Sequence, residues 1–259
     1  MNNLLSLWTY AKLKNVKLSI CQDHFNDLRW NDFFVSKPDF ISTDKALKTI
    51  PEAWNITDYT HKAFRRANNS LSWRYSLDPK NLFINKPWET LVFRLKREAA
   101  CNLLSLKPEI SNSFSQAFSS CFGAIHVRRG DKLIREGEFT SARSYVTAIE
   151  SISPEVNDIL VLTDDEAVIN ELEAETSSYR FYLLASHGLA GHQEASFNNL
   201  DKRIKKERIN RLLSEVALAS KSRFFIGAYK SNVSRFIALN HMCPNRCMSV
   251  DSLKKWVPT

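Results

Sequence analysis

The stretch Phe122-Gly-Ala-Ile-His-Val-Arg-Arg-Gly-Asp-Lys132 decides how the rest of this chain is read. An apolar strand ends here in His126, Arg128, Arg129 and Asp131, with Gly123 and Gly130 on either side. Alternate side chains of a strand share a face. His126 and Arg128 are therefore expected to point the same way at the strand's carboxyl end. Open α/β sheets bind their ligands at that end. A guanidinium placed there can grip a phosphate in a planar fork that lysine cannot reproduce. The competing reading is a basic strand end on the surface.

Working outward, the second half of the chain alternates between strand and helix patterns. The periodicity predicts helices over 141–152, 165–175, 204–220 and 231–240 and strands over 158–163, 180–184 and 223–227. Such alternation implies an α/β fold with a parallel sheet. Towards the N-terminus, helices are predicted over 110–120 and 87–106, separated by the break Lys107-Pro-Glu109. Residues 3–13 have helical spacing, 16–21 alternate like a strand, and Trp30 to Phe34 is a short aromatic segment. Residues 36–85 hold Pro38, Pro51 and Pro79 and lack long periodicity, so they read as loops with short helices facing an acceptor. Two domains are expected, 1–110 and 111–259, a size split that suits a chain of 259 residues.

Composition narrows the function classes. No apolar run reaches the length of a membrane span. The start Met1-Asn-Asn-Leu-Leu lacks a basic n-region, and the chain reads as cytoplasmic. The net charge of +8 favours anionic partners. Its densest run, Lys202-Arg-Ile-Lys-Lys-Glu-Arg208, reads as the solvated start of a helix rather than a nucleic-acid patch, and no nucleic-acid-binding motif accompanies it. Five scattered cysteines, an odd number, fit free thiols; Cys243 and Cys247 alone are close enough for a local bridge. A zinc site there would lack its second ligand pair, although His241 is near. Neither G-x-G-x-x-G nor G-x-x-x-x-G-K-[ST] occurs, so arginine and helix N-termini must carry the phosphates of any bound nucleotide.

Three strand ends in the second half carry polar residues. The first gives His126, Arg128, Arg129 and Asp131, the second Thr163-Asp164-Asp165, and the third Gly227-Ala-Tyr-Lys-Ser231-Asn-Val-Ser-Arg235. Ser231 stands at a helix N-cap position, where its hydroxyl and nearby N–H groups can meet a phosphate. The pair Asp164-Asp165 is thin support for a metal. It reads instead as a structural pair shaping the pocket, with Asp164 capping the following helix. His187 and His192 flank Gly188 and Gly191 in what reads as a surface loop.

These motifs resemble a known family. His126-Val-Arg-Arg-Gly-Asp-Lys132 looks like the first motif of the α1,6-fucosyltransferases, shared more loosely with α1,2- and protein O-fucosyltransferases. Val161-Leu-Thr-Asp-Asp165 is similar to their second motif, Gly227 to Arg235 to their third, and Ser249-Val-Asp-Ser-Leu253 to their C-terminal segment. The resemblance runs from about residue 120 to 255. It implies GT-B architecture, two Rossmann-like domains with parallel sheets, and inverting transfer from a nucleotide sugar bound by the C-terminal domain, without metal or cofactor. It also implies roles. Arg128 would hold the donor's β-phosphate, where charge develops as the sugar departs. His126 would contact the nucleotide, and Ser231 phosphate oxygens, with Asp164, Asp165, Lys230 and Asn232 around the donor. Glu215 falls where the family has an aspartate pairing with guanine, and Glu136 where it has its catalytic base, with Glu138 two residues on.

The sequence departs from that pattern in three places. The family's glycine-rich loop would end about where Asn2-Asn3-Leu4 stands; Lys230 replaces a small polar residue; and Glu215 replaces aspartate. The expected partners are a GDP-sugar, with fucose first, and a glycan hydroxyl as acceptor. A UDP-sugar such as UDP-xylose is the alternative donor. A non-catalytic module that binds glycan or nucleotide is the alternative from another class.

Overall fold

A computed structural model of the chain describes residues 24–25, 28–35, 86–114, 118, 121–130, 139–153, 155–184, 191 and 193–251. The expected helix 3–13, strand 16–21 and loop region 36–85 lie outside the described residues. The chain divides into two compact units between Lys107 and Pro108.

In the first unit, the short strands β1 (His24–Phe25) and β2 (Leu28–Arg29) pair antiparallel. A 3-10 turn over Trp30–Asp32 follows, and Asp32 closes it by accepting the Arg29 N–H at 3.1 Å. Trp30, Phe33 and Phe34 are buried, and the rings of Trp30 and Phe34 lie 4.5 Å apart. Helix α1 spans Lys86–Leu103, and the chain after it bridges back, Leu106 opposite Phe34. That bridge draws residues 104–106 out of the helix expected to include them.

The second unit begins with a single helical turn, α2 (Pro108–Ser111). The helix expected over 110–120 does not continue through its described start: Asn112 to Phe114 turn away, and Ser111 and Ser113 return their hydroxyls to the carbonyls of Pro108 and Glu109. Serines that bond local backbone in this way compete with helix propagation.

The main sheet follows. Its strands are β3 (Gly123–Val127), β4 (Asp158–Thr163), β5 (Arg180–Tyr182), β6 (Phe225–Gly227) and β7 (Cys247–Ser249), all parallel. Between them run α3 (Ala142–Ile152), α4 (Ala167–Glu175), α5 (Glu194–Asn198), α6 (Lys202–Ala219) and α7 (Asn232–Asn240). The patterned strands and long helices agree with the sequence reading to within a few residues; α5 and β7 are additions. Caps set the helix starts. Ser141 accepts the Ser144 N–H at 3.3 Å, and Asp201 the Arg203 N–H at 2.7 Å. Lys202, Arg203 and Arg208 are exposed on the first turns of α6 as expected, but Lys205 is buried.

The strand order is β5-β4-β3-β6-β7. The chain thus builds outward from β3 to β5, then crosses back and builds outward from β6 to β7. Right-handed crossovers send the connecting helices of the two halves to opposite faces, and α3 packs on α4 while α6 packs on α7. The α3–α4 face holds a hydrophobic core, where Ile125, Val127, Ile159 and Val161 meet Tyr145, Ile149 and Leu172. Residues of the other parity, Ala124 and His126, point to the α6–α7 side.

Cys243 and Cys247 are not joined in a local bridge. His241 is fully buried, with Nε2 3.2 Å from Ser222 Oγ and Nδ1 accepting the Cys243 N–H at 3.0 Å. Both ring nitrogens are engaged, which leaves no lone pair for a metal.

Candidate active site

Reversal of strand order between β3 and β6 opens a crevice at their carboxyl ends, the place where doubly wound sheets bind ligands. Register sets His126 of β3 directly beside Gly227 of β6. Gly227 must be glycine because the start of α7 presses onto it: a Cβ would lie 2.5 Å from Ser234 Oγ. That approach brings Ser234 Oγ to 2.7 Å from His126 Nδ1, with Ser231 Oγ 3.5 Å from the same nitrogen. All three residues are buried. Burial lowers the His126 pKa to about 4; Asp164 opposes the shift and Arg128 adds to it. The imidazole is therefore neutral near pH 7, and its backbone carbonyl accepts the Tyr145 hydroxyl at 3.1 Å. Ser231 is the N-cap of α7, accepting the Ser234 N–H at 3.4 Å.

The two arginines after β3 separate by parity. Arg129 follows Val127 to the α3–α4 side. It is buried, donating to Thr140 O at 2.9 Å and to Glu171 Oε2 at 2.6 Å, with its guanidinium 4.3 Å over the Phe139 ring. Arg128 is half-buried and close enough to His126 to act on its charge. The Asp pair also divides its work. Asp164 Oδ1 accepts the Arg129 N–H at 2.7 Å and so ties the end of β4 to the end of β3. Asp165, not Asp164, serves the next helix, accepting the Ala167 N–H at 3.0 Å. The expectation that Asp164 caps α4 is therefore corrected, because the neighbouring strand end takes its carboxylate first. The Asp164 carbonyl holds the N–H of Gly191 at 2.8 Å. Gly191 has φ +86° and lies against Gly130, so a Cβ would be 2.9 Å from the Gly130 Cα.

The third strand end is a loop tied down through several of its backbone groups. Ser231 N–H donates to Ala228 O at 3.0 Å, and Arg235 Nε to Tyr229 O at 2.6 Å. The N–H groups of Tyr229 and Lys230 donate to the two carboxylate oxygens of Asp251, at 2.6 and 3.2 Å. Burial would raise the Asp251 pKa, but bonds from Ser249 and these N–H groups outweigh it and hold the carboxyl below its usual range. The Lys230 and Asn232 side chains are exposed on either side of buried Ser231.

One expected residue, Glu215, is not bonded to this cluster. It lies buried in the C-terminal half of α6, where its Oε1 accepts Arg211 Nε at 2.9 Å, one helical turn away. Burial raises its pKa, and Arg211 pulls the other way. Glu136 and Glu138 lie outside the described residues, as do Asp131, His187, Gly188 and His192. Two residues that sequence reasoning missed belong to the cluster: Ser234, one turn into α7, and Asp251. Both stood in quoted motifs, but neither has a local pattern that marks it. Among the described residues, no group of three His, Cys, Asp or Glu side chains could hold a metal ion.

No protein-family model and no curated protein matches this sequence. Solved structures do. NodZ alpha-1,6-fucosyltransferase soaked with GDP-fucose aligns over 92% of this chain and 87% of its own, with TM-score 0.53 at 15% identity. Fucosyltransferase NodZ from Bradyrhizobium aligns over the same shares, with TM-score 0.55 at 14% identity. POFUT1 in complex with GDP aligns over 96% of this chain and 93% of its own, with TM-score 0.51 at 12% identity. The chain has the GT-B fold of these fucosyltransferases. The crevice between β3 and β6 is thus the switch point of the parallel sheet in a GT-B fold. At this identity the likeness is one of fold, so function is argued from the side chains.

Proposed function

We propose that this GT-B protein is an inverting glycosyltransferase, moving a sugar, with fucose from GDP-fucose favoured, to a glycan hydroxyl. The observation that carries the reading is the cluster at the switch point: neutral His126, buried Ser231 at the head of α7, and Arg128 beside them. The diphosphate would sit on the N-terminus of α7 and the Ser231 hydroxyl, with Arg128 on its β-phosphate and Lys230 and Asn232 at the rim. Anions gain from a helix N-terminus and from a guanidinium fork together. His126 has its Nδ1 engaged by Ser234, so Nε2 is the nitrogen offered to the nucleotide. The fold likeness to proteins bound to GDP or soaked with GDP-fucose supports the donor class.

In the reaction, the acceptor oxygen attacks the sugar's anomeric carbon from the side opposite the diphosphate. Glu136 takes the hydroxyl proton as the new C–O bond forms. The bond to the β-phosphate oxygen breaks, and its electron pair joins the phosphate charge held by Arg128, so configuration inverts. No metal or other cofactor enters this scheme; arginine and the helix terminus balance the leaving charge. Asp164 and Asp165 act by fixing the strand ends that shape the pocket.

One observation favours a second donor. The Glu215 carboxylate is bonded by Arg211, which competes with the guanine-pairing role that the resemblance implies. A UDP-sugar in the same site is the corresponding second reading. Thermal melts with GDP, GDP-fucose, UDP and UDP-xylose separate the two. A ligand at a hundred times its Kd stabilises the folded state by about 2.7 kcal/mol. A rise with guanine compounds alone supports the fucosyl reading; a rise with uracil compounds alone transfers the proposal to the second donor. Glu136→Gln should keep that rise and lose transfer by about a hundredfold or more.

A further inference from the structure

We propose that Asp251 is a positioning residue, whose carboxylate holds the loop 227–231 in the shape that receives a nucleoside diphosphate. This rests on the reading of the switch-point cluster as a diphosphate site. Residues 228–230 lie beyond the end of β6. Asp251 supplies an acceptor to each of two of their amides, Oδ1 for Tyr229 N–H at 2.6 Å and Oδ2 for Lys230 N–H at 3.2 Å. Its own orientation is fixed by Ser249, whose hydroxyl donates to Oδ1 at 2.6 Å. Val250 N–H donates to Gly227 O at 3.2 Å, so the chain leaving β7 is stitched to the loop at its root as well.

On its other side the Tyr229 peptide is pinned through its carbonyl by Arg235 of α7, whose guanidinium also lies 5.1 Å from the Tyr229 ring centre. The Tyr229–Lys230 peptide is thereby clamped from the segment after β7 and from α7. Three donors converge on two carboxylate oxygens, a demand that a side-chain amide cannot meet. An asparagine offers one acceptor oxygen, and its NH2 would face an N–H. The carboxylate accepts bonds only, so its effect on an anionic ligand must pass through the loop. A loop held before the ligand arrives spares the ordering cost of binding.

The test uses the full chain and its Asp251→Asn and Asp251→Ala variants, with GDP, guanosine, UDP and uridine as probes. Amide hydrogen exchange at Tyr229 and Lys230 is followed without ligand. We expect both variants to exchange faster at these two amides. Their affinity for the nucleoside diphosphate that wild type binds should fall by about tenfold or more, while affinity for the matching nucleoside is unchanged. Equal losses for diphosphate and nucleoside would mean a general structural role and overturn the proposal, as would wild-type diphosphate affinity in Asp251→Asn. If wild type binds neither diphosphate, the functional reading of the site fails by itself. Exchange then judges Asp251: acceleration confined to 228–231 supports its hold on the loop, and unchanged exchange refutes it.

Discussion

Arg129 spends its guanidinium inside the fold, on Thr140, Glu171 and the Phe139 ring. Arg128, one residue earlier, stands beside His126 at the crevice. Substitutions at the two should therefore read out differently. Arg129→Met should cost about 1–3 kcal/mol of stability by denaturant melts, with Glu171 partly rescued by water because it is 38% exposed. Arg128→Ala should leave stability nearly unchanged and abolish transfer, and Arg128→Lys should be severely impaired because the fork is lost. Wild-type transfer by Arg128→Ala would sink the catalytic reading. His126 makes a prediction in pH. Its folded pKa, about 4, lies below the ordinary 6.5, so the unfolded chain takes up the proton first as pH falls. Its stabilising contribution is intact above about pH 6.5 and is lost by about pH 4, some ~3 kcal/mol in all. Melts of His126→Asn across this range should show a flatter decline than wild type. An unchanged slope would mean that other groups cause it.

At the scale of elements, the start of α7 and the end of β6 form one unit. Gly227 lets the helix lie on the strand, and that contact delivers both Ser231 and Ser234 to His126. Gly227→Ala would put its methyl 2.5 Å from Ser234 Oγ and 2.9 Å from the Phe225 ring. The helix must then shift, at about 1–3 kcal/mol of stability, and diphosphate affinity should fall with it. Normal affinity in this variant would show that the site tolerates a displaced α7. Periodicity made α3, α6 and α7 legible, and the Ser231 cap marked the start of α7. The helical pattern expected over 110–120 breaks at 112–114, where local serine bonds oppose it. The short strand β7 carries too few residues to show a period at all.

For the whole molecule, the consequential fact is the order β5-β4-β3-β6-β7. It places the crevice between β3 and β6 rather than at the sheet's edge. Titrating GDP, or UDP if that is the ligand, should perturb amide NMR shifts most at 126–130 and 227–235. The α3–α4 face around Ile149 and Leu172 should stay quiet, since it is dry core. Shifts centred on that face would place the ligand elsewhere and end the switch-point reading.

The sequence by itself determined the alternation of strands and helices, the parallel α/β class, the pairing of His126 with Arg128 by parity, and the Ser231 cap. These are local properties, written in periods of two and 3.6 residues and in a single capping side chain. Tertiary structure alone decided the order of the strands, the burial of Arg129 against Thr140 and Glu171, the engagement of Glu215 by Arg211, and the recruitment of Ser234 and Asp251. Each depends on which distant segment arrives at a strand end. A carboxylate's role is set by the donors that reach it first, and neither Asp164 nor Asp251 carries that information in its neighbours along the chain.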